Sequence, residues 1–178
     1  AAFLQASAGD WHAASQSARK ALAIDPRDGN ALYLLAVADL TKGDARTARA
    51  RYAKAYPELL APAPPRIDLS NYRVALDLAL VLLQSGEDAR AGQLLDGSDG
   101  AMRQIPRLGW EGSGITDARI HALRGDKAKA LAALREAERA GWRGGYWRFF
   151  RDGDPALASI RDEPEFKAVF ADIERDMA

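Results

Sequence analysis

Small and apolar residues along the chain fall at fixed distances from four glycine–acid dipeptides, Gly9-Asp10, Gly43-Asp44, Gly86-Glu87 and Gly125-Asp126. Five positions after each glycine stands an alanine: Ala14, Ala48, Ala91 and Ala130. Seven positions before the last three stand Ala36, Ala79 and Ala118. Nine positions after come Ala18, Tyr52, Leu95 and Leu134, and twelve after come Ala21, Ala55, Ser98 and Ala137. The pattern predicts pairs of helices joined by tight corners. Glycine closes the first helix because it enters the left-handed region without a Cβ clash, and the acid that follows caps the second. The alanines mark where the two helices of a pair cross closely, and the larger residue fills the core. Each pair leaves one face bare, which the next pair covers.

The helices this predicts run over about 1–8, 11–24, 30–41, 45–56, 71–84, 88–95, 115–124 and 127–140, with Ser70 as cap of the fifth. Pro57 and the run Ala61-Pro62-Ala63-Pro64-Pro65 interrupt the series, since proline lacks the amide donor and forces its predecessor extended; this reads as a rigid connector. The glycine-rich stretch 96–113 reads as irregular, with room for a short helix at 101–105. The period ends at Ala140. Residues 141–153 are dense in aromatics and arginines, and a short helix near 155–160 precedes a last amphipathic helix near 163–176. On that helix Phe166, Val169, Phe170 and Ile173 share one face.

Gly9 and Gly43 stand 34 positions apart, the period of tetratricopeptide repeats. Between Asn30 and Tyr56 the chain resembles that family closely: Leu32, Leu35, Ala36, Gly43, Asp44, Ala48, Tyr52 and Ala55 occupy the signature places, while Asp39 stands where the motif has an aromatic. The implied fold is all-α, a TPR-like superhelix (a right-handed solenoid of helix pairs) with a helical C-terminal cap. Its repeats span about 1–28, 29–60, 70–98 and 113–140, with insertions at 57–66 and 96–113 and a capping segment at 141–178. The first unit shows a short first helix and the chain begins Ala1-Ala2-Phe3, as expected of a piece of a longer protein. The tail, Asp154-Pro155-Ala156-Leu157 and then Ile160 to Phe166, is similar to the segment that closes such arrays in bacterial winged-helix regulators, nucleotide cyclases and kinases.

Charge and composition narrow the chemistry. Lys+Arg and Asp+Glu balance at 25 each, so no global field draws a polyanion. There is no cysteine, and the two histidines, His12 and His121, fall in different units, which leaves too few ligands for a metal. Asp152-Gly153-Asp154 lacks the later ligands of a calcium loop. Gly109, Gly112 and Gly114 do not have phosphate-loop spacing, and no strand precedes them. No serine sits in a nucleophile elbow. Aromatics mixed with arginines over 142–151 can stack on bases, but a capping core needs the same aromatics.

The expectation is therefore a non-enzymatic chain with no cofactor, no membrane insertion and no nucleic-acid partner. It holds a protein or peptide partner, and the cytoplasm is favoured over a periplasmic place on a membrane-anchored regulator. The resemblance puts the partner in the concave groove. Carried over, the groove positions are Phe3, Asn30, Tyr33, Val37, Thr41, Arg73, Leu76, Leu80, Gln84, Ile115 and Arg119. Two other readings stand beside it: a small-ligand sensor with a pocket between the proline-rich connector and the 96–113 stretch, and a homo-oligomerisation segment.

Overall fold

The computed structural model describes residues 1–105 and 114–178. In order they form α1 (Ala2–Ser7), α2 (Trp11–Ile24), α3 (Gly29–Thr41), α4 (Ala45–Ala55), α5 (Pro57–Leu60), α6 (Tyr72–Gln84), α7 (Asp88–Met102), α8 (Gly114–Leu123), α9 (Lys127–Arg139), α10 (Trp147–Asp152), a 3₁₀ helix (Pro155–Ile160) and α11 (Pro164–Asp176). The described residues are helices and connections, with no strand among them. They fall into two compact units, Ala1–Ala101 and Met102–Ala178.

The four glycine–acid corners share one geometry. Gly9, Gly43, Gly86 and Gly125 lie at φ +82°, +75°, +74° and +77°. The amide after each glycine donates to the carbonyl five residues back: Asp10 to Gln5, Asp44 to Asp39, Glu87 to Leu82 and Asp126 to His121, all at 2.9–3.0 Å. This closure satisfies carbonyls that a helix end leaves open. The carboxylates of Asp10, Asp44 and Asp126 then accept from the amides of Ala13, Thr47 and Lys129, capping the next helix. Glu87 does not cap. Its carboxylate takes both Nε and Nη2 of Arg49, at 2.6 and 3.0 Å.

Hydrogen bonds from Thr47 hold Asp44 below the ordinary carboxylate value of 3.8, and bonds from Lys129 do the same for Asp126. A carboxyl depressed by folding stabilises fully above its unfolded value, and that contribution is lost as pH falls toward the folded one. The midpoint of urea unfolding is therefore expected to hold steady above the ordinary carboxylate value of 3.8 and to fall as pH drops below it. Asp44→Asn with Asp126→Asn, which keeps a capping oxygen but cannot titrate, is expected to flatten that fall.

In the first unit α2 packs between α1 and α3, and α3 between α2 and α4. The first helices of successive pairs also meet, α1 against α3 and α3 against α6, while α4 packs on α6. The small residues lie where a close crossing needs them: Ala14, Ala36, Ala48, Ala79 and Ala91 are all at most 1% exposed. Tyr52 and Leu95 fill the space between. Every residue from Ala31 to Val37 is buried, as is every residue from Val74 to Leu82. Helices buried on all faces are core elements rather than amphipathic surface ones.

Three expectations about this unit are corrected. The helix expected to end at Leu95 continues to Met102, so residues 96–102 are helical rather than irregular. Its glycine has a packing purpose: a Cβ on Gly97 would lie 2.4 Å from Cδ1 of Ile67. Ser98 Oγ bridges the carbonyls of Leu94 and Tyr72, which suits a buried hydroxyl within a helix. Ser70 is not the cap of α6. Its hydroxyl and amide both donate to Asp68 Oδ1, at 2.6 and 2.8 Å, and Asn71 occupies the cap position. The first four residues after Tyr56 form the helical turn α5, which proline at a helix start permits.

In the second unit α8 and α9 pair around the Gly125 corner, the 3₁₀ helix packs on both, and α11 packs on α9. Their core joins Ala118, Leu134, Trp147 and Leu157 to the expected α11 face, Phe166, Val169, Phe170 and Ile173. The aromatic stretch contains α10 and a fifth corner. Gly141 lies at φ +87°, and Trp142 N–H donates to the Ala137 carbonyl at 2.9 Å. Trp142 meets Phe150 edge-on at 5.7 Å. The arginines there are engaged within the unit: Arg148 and Arg151 lie over the Trp147 ring at 4.4 and 4.9 Å, and Arg143 bonds Asp176 and the Glu138 carbonyl. The loop glycines Gly109 and Gly112, and Trp110 beside them, fall outside the described residues.

Candidate partner-binding surface

The eleven positions expected to line the groove divide by burial. Tyr33 and Val37 on α3, and Leu76 and Leu80 on α6, are 3%, 1%, 0% and 1% exposed. Arg119 on α8 is buried as well, and its Nε pairs with Asp154 Oδ2 at 2.8 Å. Ile115 is buried and Phe3 half-buried. Asn30, Thr41, Arg73 and Gln84 are exposed.

These four sit at helix ends. Asn30 and Arg73 occupy the first turns of α3 and α6, and Thr41 and Gln84 close them. At about 1.5 Å per residue, the two ends of α3 are some 16 Å apart. Arg73 is partly fixed: its Nε donates to the Tyr72 hydroxyl at 2.9 Å and its guanidinium lies 5.6 Å from that ring. Thr41 Oγ1 donates to the Val37 carbonyl at 2.8 Å, which leaves the oxygen's lone pairs free to accept. The exposed positions thus offer a cation, two amides and a hydroxyl, a set suited to a polar protein surface.

No family model, curated protein or solved structure matches this chain.

Among the described residues, no group of three or more His, Asp or Glu is placed to hold a metal ion. No helix among them is long and apolar enough to cross a membrane. A surface pocket of about 260 Å³ lies in the second unit, walled by Arg151, Arg161, Lys167 and Glu174 over Phe166 and Phe170. Arg161 is held by two main-chain oxygens, those of Arg151 at 2.8 Å and Asp154 at 2.6 Å. The Asp152 carboxylate beside Arg151 raises that guanidinium's already high value further. Sequence spacing gave no sign of this pocket, because its walls come from three separate elements. The pocket expected beside the proline-rich connector involves residues 106–113, which lie outside the described residues.

Proposed function

We propose that this chain is a non-enzymatic scaffold of TPR-like helix pairs, the docking part of a larger regulatory protein, and that it holds a protein partner. The observation that carries the reading is the repetition of one corner. Four glycine–acid turns have matching φ angles and the same five-residue closure, and the alanines five positions after all four and seven positions before the last three are buried. Within the first unit the first helices of successive pairs meet, α1 on α3 and α3 on α6, and stacked pairs of this kind are how solenoids serve as binding platforms.

The partner is taken at the exposed ends of α3 and α6, not along their lengths, because Tyr33, Val37, Leu76 and Leu80 are core residues. Asn30, Thr41, Arg73 and Gln84 make the contact. Their chemistry fits a folded partner presenting carboxylates and main-chain carbonyls.

The test compares the proteins cross-linked in cells by the wild-type chain with those cross-linked by Arg73→Glu/Gln84→Lys. Both changes are at exposed positions, so far-UV circular dichroism should be unchanged. Loss of one specific partner, with at least a tenfold drop in its recovery, is the expected result. Equal recovery of every cross-linked protein contradicts this surface.

A further inference from the structure

The pocket of the second unit has no part in the surface just described, and its charges are unevenly matched. Arg151 is neutralised within it. Its Nε and Nη2 meet the two carboxylate oxygens of Asp152 at 2.7 and 2.9 Å, and its Nη1 reaches Glu174 at 3.3 Å. Arg161 differs, because its Nε and Nη2 donate to main-chain carbonyls. No carboxylate pairs with it among the described residues.

A guanidinium carries five N–H donors. The two carbonyl bonds fix the Arg161 group in place and leave its Nη1 donors unspent. The side chain is half-buried, so a charge is partly withdrawn from water without a counter-ion, a state that an incoming anion relieves. Lys167, on α11, lines the same pocket. Its ion-pair partner Asp162 is fully exposed and 3.6 Å away, beyond a normal hydrogen bond, which leaves the ammonium donors open as well. The floor is apolar, made by Phe166, Phe170 and Ala171. The volume of about 260 Å³ exceeds the roughly 150 Å³ that admits benzene and falls short of the about 300–1,000 Å³ of sites for drug-sized ligands.

We propose that this pocket binds a small monocarboxylate with one compact apolar body, on the scale of a single ring. Arg161 Nη1 and Lys167 Nζ take the carboxylate, as charge-assisted donors do, and the body rests on the phenylalanines. A single negative charge fits better than a phosphate dianion, because Asp152 and Glu174 line the same pocket and repel a second charge. The fixed guanidinium lowers the ordering cost of binding. This site lies wholly in the second unit and does not rest on the partner proposed for the ends of α3 and α6.

The probe is phenylacetate, titrated into the isotope-labelled full chain. Saturable amide shifts are expected at Phe166, Lys167, Phe170 and Ala171, with Kd below about 1 mM. Phenylacetamide has the same body without the charge, and should bind at least about tenfold more weakly. Lys167→Met, at an exposed position, should weaken phenylacetate several-fold and leave phenylacetamide unchanged. Arg161→Met should abolish saturation; if it also loses helix content, Lys167→Met carries the comparison. Four results overturn the proposal: no saturable shift, equal binding of acid and amide, displacement of phenylacetate by equimolar inorganic phosphate, or unchanged binding by Lys167→Met.

Discussion

Asp154→Ala is expected to destabilise the second unit by about 3–5 kcal/mol, the cost of removing one partner of a buried ion pair. Asp154 is 0% exposed and Arg119 6%. One carboxylate oxygen pairs with Arg119 Nε at 2.8 Å, and the other accepts from Ala156 N at 2.9 Å, capping the 3₁₀ helix. Alanine removes both contacts and leaves the Arg119 guanidinium buried without that carboxylate. Asp154→Asn keeps an oxygen for the cap but turns an NH2 toward the Arg119 guanidinium, a donor facing a donor, so it isolates the loss of the ion pair from the loss of the cap. Replacing the pair together, Arg119→Met with Asp154→Asn, should recover much of the stability, because no isolated charge then stays buried. Urea unfolding followed by tryptophan fluorescence measures all three. A loss below about 1 kcal/mol for Asp154→Ala would mean that the pair is solvated like an ordinary surface bridge.

The second large effect is expected at Gly114, the first residue of α8. An added Cβ would stand 2.4 Å from the Ala137 Cβ and 2.9 Å from its Cα, so α9 itself would have to move. Replacing glycine by alanine in a helix ordinarily gains about 0.5–1 kcal/mol. Overpacking against a rigid neighbour costs about 1–3 kcal/mol, occasionally more, so the clash wins and Gly114→Ala destabilises. Two comparisons isolate the cause. At Gly97 the 2.4 Å contact is with the end of the Ile67 side chain, which can turn aside, while the Ile67 Cβ stands off at 3.0 Å and no backbone atom comes as close; the loss there should be smaller. At Gly92, inside α7, nothing lies within 4 Å, and alanine should stabilise. Thermal unfolding should therefore rank Gly92→Ala above wild type, Gly97→Ala below it and Gly114→Ala lowest.

The corners were legible because they rest on local chemistry. A left-handed residue needs glycine, and an acid one position on reaches the amides of the next helix, as Asp44 reaches Thr47. The crossing alanines were legible for a similar reason, since side-chain size sets how closely helices approach. The Gly141 corner was missed because Trp142, not an acid, follows it, although the backbone closure is the same. The continuation of α7 was missed because Gly97 and Gly100 weigh against a helix locally. Only the packing of Ile67 on Gly97 shows why a glycine stands there.

The partner surface was read from a family's groove, where the first helix of each pair is exposed along one side. Here α3 and α6 are buried on every face over 31–37 and 74–82, and the sequence carried a sign of it. The run Ala31-Leu32-Tyr33-Leu34-Leu35-Ala36-Val37 has no polar interruption, and residues 74–82 have only Asp77. Such runs lack the polar stripe of a surface helix. Which exposed residues remain around them depends on tertiary contacts, which spacing alone does not report.

Amide hydrogen exchange at the corners tests the repeated-unit account most directly. The N–H groups of Asp44, Glu87, Asp126 and Trp142 each close on a carbonyl five residues back, so all four should exchange slowly, opening only when their helix pair opens. Fast exchange at any of these amides, while the flanking helices stay protected, would show that the corner there is not the shared one and would contradict the account.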